Sequence, residues 1–249
     1  MDDLTRDAFL DGKLQLWQPR RGYRAATDPV LLAAACPAMP GQSVLDLGCG
    51  VGAAILCLAA RVPDLRLSGL EVQPDLAELA RRNAIDNGFA MQTDCGDLGD
   101  MPKSLRLGFD HVIANPPYYA QSGTPSPDAS RDTALRVETP LGDWVQAAAR
   151  RLNPGGWLTL ICGADGLPPV LAAMGTQLGS ATVLPLAPRQ GRAASRIILR
   201  ARKGGRAAFR LLSPFVLHEG PAHDGDRDSY TPRAHGILRL GVDLSEEFR

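Results

Sequence analysis

One nine-residue run narrows the folds open to this chain more than any other: Val44-Leu45-Asp46-Leu47-Gly48-Cys49-Gly50-Val51-Gly52. Its Val- and Leu-rich start, Ser43–Leu47, has the composition of a short strand. Glycines at alternate positions then let the chain turn sharply and leave bare backbone for close approach by a ligand. Helical patterning follows over Gly52–Arg61, so the run is a strand–turn–helix unit. Glu71 ends the next strand, Arg66–Leu70, about 20 residues further on, where a carboxylate accepts bonds from both hydroxyls of a ribose. The pattern predicts a nucleoside-containing ligand at the carboxyl edge of a parallel sheet. A dinucleotide loop spaces its glycines G-x-G-x-x-G, seating a pyrophosphate on the helix N-terminus. Here the spacing is G-x-G-x-G behind Asp46, and an acidic group beside the turn suits an ammonium or sulfonium better than a pyrophosphate.

The rest of the chain repeats the alternation. Gln73–Asn87 reads as a helix with Leu76, Leu79, Ala80, Asn83 and Ala84 on one face, ended by Asn87-Gly88. Ala90–Asp94 and Phe109–Ala114 read as strands, Leu141–Leu152 as a helix, Asn153-Pro154-Gly155-Gly156 as a turn and Trp157–Cys162 as a fifth strand. Strands alternating with helices imply an α/β sheet covered on both faces. Leu167–Leu178 has helical character. Ala181–Leu186 and Ser195–Arg202 make a final antiparallel pair, and the tail after Gly204 is turn-rich. Residues 1–40 form an N-terminal extension to a unit spanning 41–249. In it, Phe9–Gln18 suggests a hairpin turning at Asp11-Gly12. Thr27-Asp28-Pro29 then opens a short helix, with Asp28 as N-cap and Pro29 at the first helical position.

Composition excludes several classes. The 249 residues carry 27 Lys+Arg against 27 Asp+Glu, so any basic surface for a polyanion is local. A hydrophobic content of 45% excludes wholesale disorder. No apolar run approaches the ~18 residues that a membrane span needs, since Ala25–Pro40 is broken by Pro29 and Pro37. Met1-Asp2-Asp3 lacks an apolar signal core, which predicts a protein that stays in the cytoplasm. Cys36, Cys49, Cys57, Cys95 and Cys162 are odd in number and scattered, as reduced thiols are. His218, His223 and His235 lack partners at metal-ligand spacing, so no metal is expected. His111 reads as packing in its strand, as do Trp17, Trp144 and Trp157, and Cys49 as a small neighbour of the ligand.

Asn115-Pro116-Pro117-Tyr118 follows the fourth strand directly. A residue before proline is held extended, and two prolines fix φ twice and remove two donors. The result is a stiff loop presenting the Asn115 side-chain oxygen and the Pro116 carbonyl side by side, followed by the flat face of Tyr118. A planar NH2 group donates one hydrogen to each acceptor while its ring or amide plane stacks on Tyr118. The lone pair of such a nitrogen is delocalised. Two acceptors favour a pyramidal nitrogen and stabilise the positive charge that develops on alkylation, and alignment adds a proximity gain. Neither a metal nor a strong base is required. Tyr119 is either a second stacking surface or core, and Tyr118–Asp132 is a polar loop longer than most strand–helix connections.

Asp46-x-Gly48-x-Gly50-x-Gly52 resembles the cofactor loop of S-adenosylmethionine-dependent methyltransferases. Joined to Asn115-Pro116-Pro117-Tyr118, it resembles the amino-methyltransferases among them. That resemblance implies a Rossmann-like seven-stranded sheet with an antiparallel last strand and helices on both faces. It implies S-adenosylmethionine held by Asp46, Gly48, Gly50, Gly52, Glu71 and Asn115. It also sets Asp97, with Asp94 as rival, at the cofactor adenine. Gln18 to Ala35, Val112 to Tyr119, Ser195 to Gly204, Leu217-His218 and Tyr230-Thr231 are similar to the tRNA1(Val) adenine-37 N6-methyltransferase family. This second resemblance covers most of the chain. It implies adenine N6 of tRNA as acceptor, catalysis by Asn115, Pro116 and Tyr118, and a helix opened by Asp28 closing over the methionine part of the cofactor.

Two other readings stay open. Methyltransferases acting on a release-factor glutamine share the Asn-Pro-Pro-Tyr loop but normally carry a larger N-terminal helical domain. A non-catalytic RNA-binding module would retain the fold alone. An unpaired target base is cheaply extruded and stacked on Tyr118 or Tyr119. For RNA phosphates there are two candidate clusters, each equally readable as a solvated charged face. One is Arg20, Arg21 and Arg24; the other is Arg189, Arg192, Arg196, Arg200, Arg202, Lys203 and Arg206.

Overall fold

The structure, a computed structural model, describes residues 3–22, 24–117, 139–220 and 229–249. A hairpin opens it: β1 (Leu4–Phe9) pairs with β2 (Leu14–Pro19), Phe9 facing Leu14. The turn is Leu10–Lys13, so the hairpin begins five residues before the expected start at Phe9. Helix α1 (Thr27–Ala35) follows, and seven of its nine residues are buried. Such a helix is apolar all round and belongs inside the molecule. Asp28 is not its N-cap: Ala26 holds that place with no side-chain bond, and Asp28 sits in the first turn.

The alternating core comes next: β3 (Ser43–Leu47), α2 (Ala53–Arg61), β4 (Arg66–Glu71), α3 (Pro74–Asp86), β5 (Met91–Cys95) and β6 (Phe109–Ala114). After the undescribed residues 118–138 come α4 (Leu141–Arg151), β7 (Leu152–Gly163), α5 (Leu167–Ala173), β8 (Leu178–Arg189) and β9 (Arg196–Lys203). Helix α5 stops five residues short of the expected Leu178. Asn153–Gly156 is a bulge rather than a plain turn: Phe109 pairs with Leu152, yet His111 pairs with Trp157. A side chain at Gly156 would press its Cβ to 2.8 Å from the Asp110 carbonyl, which accounts for glycine there.

Among the described residues the main sheet runs β5-β4-β3-β6-β7-β9-β8. All neighbours are parallel except β9, which is antiparallel to both β7 and β8. The expected reversed strand is thus present. The tail adds what its turn-rich sequence did not suggest: β10 (Arg210–Leu211) and β11 (Phe215–His218) both pair parallel with β8, making nine strands. Strand β11 is tied back by His218, whose ring stacks on Tyr230 at 4.7 Å.

Every residue of β3 is buried, and successive side chains enter opposite layers. Val44 joins Ile113, Ile161 and Ile198 under the hairpin, α1 and α2. Leu45 and Leu47 join Val112, Leu158 and Leu160 under α4 and α5. No described helix is long and apolar enough to cross a membrane.

Candidate active site

The chain leaves β3 towards β4 and β5, then returns to place β6 on the other side of β3. That reversal opens a crevice at the carboxyl ends of β3 and β6, where open α/β sheets bind ligands. Register decides what meets there. Leu47 is paired with Ala114, so Gly48 and Asn115 leave adjacent strands at the same level. Leu47 is also paired with Leu70, which brings Glu71 one residue beyond on the other flank. Cys95 is paired with Glu71, and Asp97 follows two residues past the end of β5. Asp94 lies inside β5 and accepts from the Gln92 amide.

Backbone bonds give the glycine turn its shape. Cys49 N–H donates to the Leu70 carbonyl at 2.9 Å and Gly50 N–H to Glu71 Oε2 at 2.8 Å. The other Glu71 oxygen accepts from Gln73 N–H at 2.9 Å, and Gly96 N–H bonds the Glu71 carbonyl. Glu71 therefore links the turn, its own strand and the start of α3, a role beyond the ribose contact expected of it. Gly52, at φ +85°, is the N-cap of α2. At Gly48, φ is +65° and a Cβ would lie 2.4 Å from Trp144 Cη2. The indole of α4 fills the space a side chain would need. Trp144 is thus core packing, as expected, but it also forms a wall of the turn.

Asp46 is buried beneath the turn. Burial raises its carboxyl well above the usual carboxylate range, and the charge of Glu71 raises it further against an opposing bond from Ile55 N–H. Its Oδ2 has no hydrogen bond among the described residues. A buried acceptor of this kind costs stability unless something satisfies it. Cys49 is buried, and burial with the charges of Asp46 and Glu71 pushes its thiol up. It lies within the turn, and its burial disfavours the thiolate that a nucleophile needs.

Asn115 is half-buried and Pro116 buried, while Pro117 is exposed. Tyr118 and Tyr119 lie outside the described residues. Asp28 forms an ion pair with Arg196 at the start of β9, opposite Gly163 at the carboxyl end of β7. The helix start is therefore pinned at the same sheet edge as the crevice. Arg20 and Arg21 are exposed after β2. Arg24 is held by Asp7 at 2.6 Å and by the Pro19 carbonyl.

The second basic cluster is largely spent inside the fold, against the phosphate reading. Arg189 bonds the carbonyls of Glu219 and Gly220. Arg200 bonds the Ala35 carbonyl and stacks on Phe248 at 3.6 Å. Arg202 bonds the Gly155 carbonyl, and Lys203 the Ala149 carbonyl. Arg192, Arg202 and Arg206 remain exposed. His111 is buried and bonded to Gln42, a packing role as expected. No cluster of three metal-ligating side chains occurs among the described residues.

One residue escaped the sequence reading. Asn83, fully buried on α3, donates to the Val51 carbonyl in the turn at 2.9 Å. It also exchanges two bonds with the Trp17 backbone of the hairpin. A polar residue on an otherwise apolar face was the available signal.

Known proteins share this fold. Residues 26–184 match the model of the family described as "Methyltransferase small domain". A Porphyromonas gingivalis protein named tRNA1(Val) (adenine(37)-N6)-methyltransferase is 34% identical over 174 residues, 66% of this chain and 68% of that one. One of the same name from Actinobacillus succinogenes is 30% identical over 202 residues, 78% and 82% of the two chains. A solved structure from Agrobacterium tumefaciens, described as a predicted O-methyltransferase, superposes with a TM-score of 0.69 at 26% identity. It covers 87% of this chain and 97% of its own. The chain belongs to the methyltransferase small domain family, among the relatives of the tRNA1(Val) (adenine(37)-N6)-methyltransferases.

Proposed function

We propose that this protein is a cytoplasmic enzyme that methylates the exocyclic N6 amine of an unpaired adenine in tRNA. The observation that carries the reading is the Leu47–Ala114 pairing, which sets the glycine turn beside the Asn115-Pro116 acceptors. The names of the curated relatives support tRNA as the acceptor.

The residues present fit S-adenosylmethionine. A buried Asp46 oxygen lacks a partner among the described residues, next to a turn of bare backbone. Glu71 also sets an acidic group beside the turn for a cationic ligand. Gly48, Gly50, Gly52, Glu71 and Asp46 would hold it, with Asp97 at its adenine and Asp28 towards its methionine end. Residues 1–40 would pack over it. When bound, S-adenosylmethionine supplies an electrophilic methyl group carried on a sulfonium.

The chain's own part is positioning. Asn115 Oδ1 and the Pro116 carbonyl accept the two amine hydrogens and orient the nitrogen lone pair. Positive charge grows on that nitrogen as it is alkylated, and fixed acceptors stabilise the charge more than the neutral amine. The alkylated ammonium releases its proton to a carbonyl or water. Tyr118 and Tyr119 would stack on the base, and Arg20, Arg21 and Arg24 would meet phosphates. A pair of acceptors at the reacting nitrogen favours nitrogen over the oxygen acceptor named for the Agrobacterium protein.

Incubation with tritiated S-adenosylmethionine and separate pools of tRNA, ribosomal RNA and release factor tests the acceptor. Label in tRNA that digests to N6-methyladenosine is expected, and label confined to protein would reverse the choice.

A further inference from the structure

Three arginines that no sequence pattern links come together on the α4 side of the sheet. Arg150 and Arg151 end α4, and Arg106 arrives from the turn before β6. They line a cleft of about 400 Å³ whose other wall is Leu98–Met101. Arg106 is anchored to the Met101 carbonyl at 2.7 Å and to the exposed Asp100 at 2.8 Å. For Arg150 and Arg151 no described carboxylate lies within ion-pair distance. Among the described residues one acid thus answers three cations. Burial, with the charges of Arg150 and Arg106, lowers the Arg151 guanidinium from its ordinary value. Cations in the last turn complement the α4 dipole. That does not explain why a third joins them from another element.

The cleft reaches towards the candidate active site at one end only, its arginines lying at the amino end of β6. Its wall starts at Leu98, the residue after Asp97. Arg151 lies two helical turns, ~10 Å, further along α4 than Trp144, beside the Leu152–Phe109 pair at the amino end of β6 and so ~20 Å along the strand from Asn115, a span of a few nucleotides of RNA. We propose that Arg106, Arg150 and Arg151 bind backbone phosphates of the RNA whose base enters the active site. Phosphate contacts of this kind fix the register of a nucleic acid on its protein. The inference rests on the tRNA reading above. It moves part of the RNA footprint away from the β8–β9 cluster, most of whose cations the fold uses internally.

The test is filter binding of tRNA across a salt series, with wild type, the double variant Arg150→Glu with Arg151→Glu, and Arg210→Glu on the far edge strand as a charge-reversal control away from the cleft. The double variant is expected to bind at least about tenfold more weakly. Its slope of log K against log salt should flatten by roughly 1.5, as two lost contacts predict. Calorimetry should show its S-adenosylmethionine affinity unchanged. If the reversed charges impair folding, Arg150→Gln with Arg151→Gln keeps side-chain bulk and should flatten the slope in the same direction. Wild-type affinity and slope in the double variants would overturn the cleft and leave the acceptor reading standing. Failure of the wild type itself to bind tRNA would sink both. Displacement of wild-type RNA by inorganic phosphate at constant ionic strength, lost in the double variant, would instead make the cleft a free-phosphate site and overturn the proposal.

Discussion

Asn115 and Gly48 are neighbours across a strand pair, yet their failures should look different. Asn115 faces the amine in the proposed chemistry. Asn115→Ala is expected to lower kcat at least about a hundredfold, the scale of losing one fixed group at a developing charge. Cofactor affinity should stay within several-fold. Calorimetry beside a turnover assay separates the two, and near-normal turnover would remove the role. Gly48 acts through shape. Its φ of +65° and the indole 2.4 Å from a would-be Cβ both reject a side chain. Gly48→Ala should cost about 2 kcal/mol or more of stability, from overpacking and left-handed backbone together. Adding Trp144→Ala should return part of that loss, because the clash has a single partner. Thermal denaturation of the two single variants and the double completes the cycle, and strict additivity would show that the indole is not what excludes the methyl.

At the scale of elements, the glycine turn depends on structure outside its own strand and helix. Asn83 of α3 binds Val51 in the turn and Trp17 in β2, so one buried amide joins three elements. Asn83→Leu leaves a donor and two acceptors buried without partners. About 2–4 kcal/mol of destabilisation is expected, with weaker cofactor binding because the turn loses its anchor. Chemical denaturation with a cofactor titration checks both, and intact binding in the folded variant would show the turn to be self-supporting. The ends of α1 tell a similar story. Arg61 and Arg200 bond its last carbonyls, and Arg196 pairs with Asp28 in its first turn. Two of these cations come from β9. Two members of a cluster with the composition of a phosphate site are thus spent on holding a helix.

For the whole molecule, His111 sets an acid limit. It is buried in β6 and bonded to Gln42. Burial lowers its pKa from 6.5 to about 4, with Arg200 adding and Asp110 opposing. The unfolded chain takes up a proton near pH 6.5, whereas the native state resists until about 4. Stability is therefore complete above pH 6.5 and is lost as pH falls through the window from 6.5 to 4. The contribution reaches up to about 3 kcal/mol across that window. Melting temperature should drop over it, and His111→Gln should flatten the profile. An equal slope in the variant would assign the acid limit to other groups.

Much of this fold was legible along the chain because strands and helices impose periods of about 2 and 3.6 on neighbouring residues. Ser43–Leu47 and Phe109–Ala114 fall where the pattern places them, and the glycine turn and the Asn115-Pro116 step follow from φ restrictions that each residue carries with it. What only the tertiary structure decided concerns partners distant in sequence. The pairing of Arg196 with Asp28 spans 168 residues, and no local period encodes it. The same holds for Trp144 against Gly48, Asn83 beneath the turn and the meeting of Arg106 with Arg150 and Arg151. Short, weakly patterned β10 and β11 form only because β8 offers them an open edge. A side chain's type limits the bonds it can make, but which of them it makes depends on what the fold brings within reach.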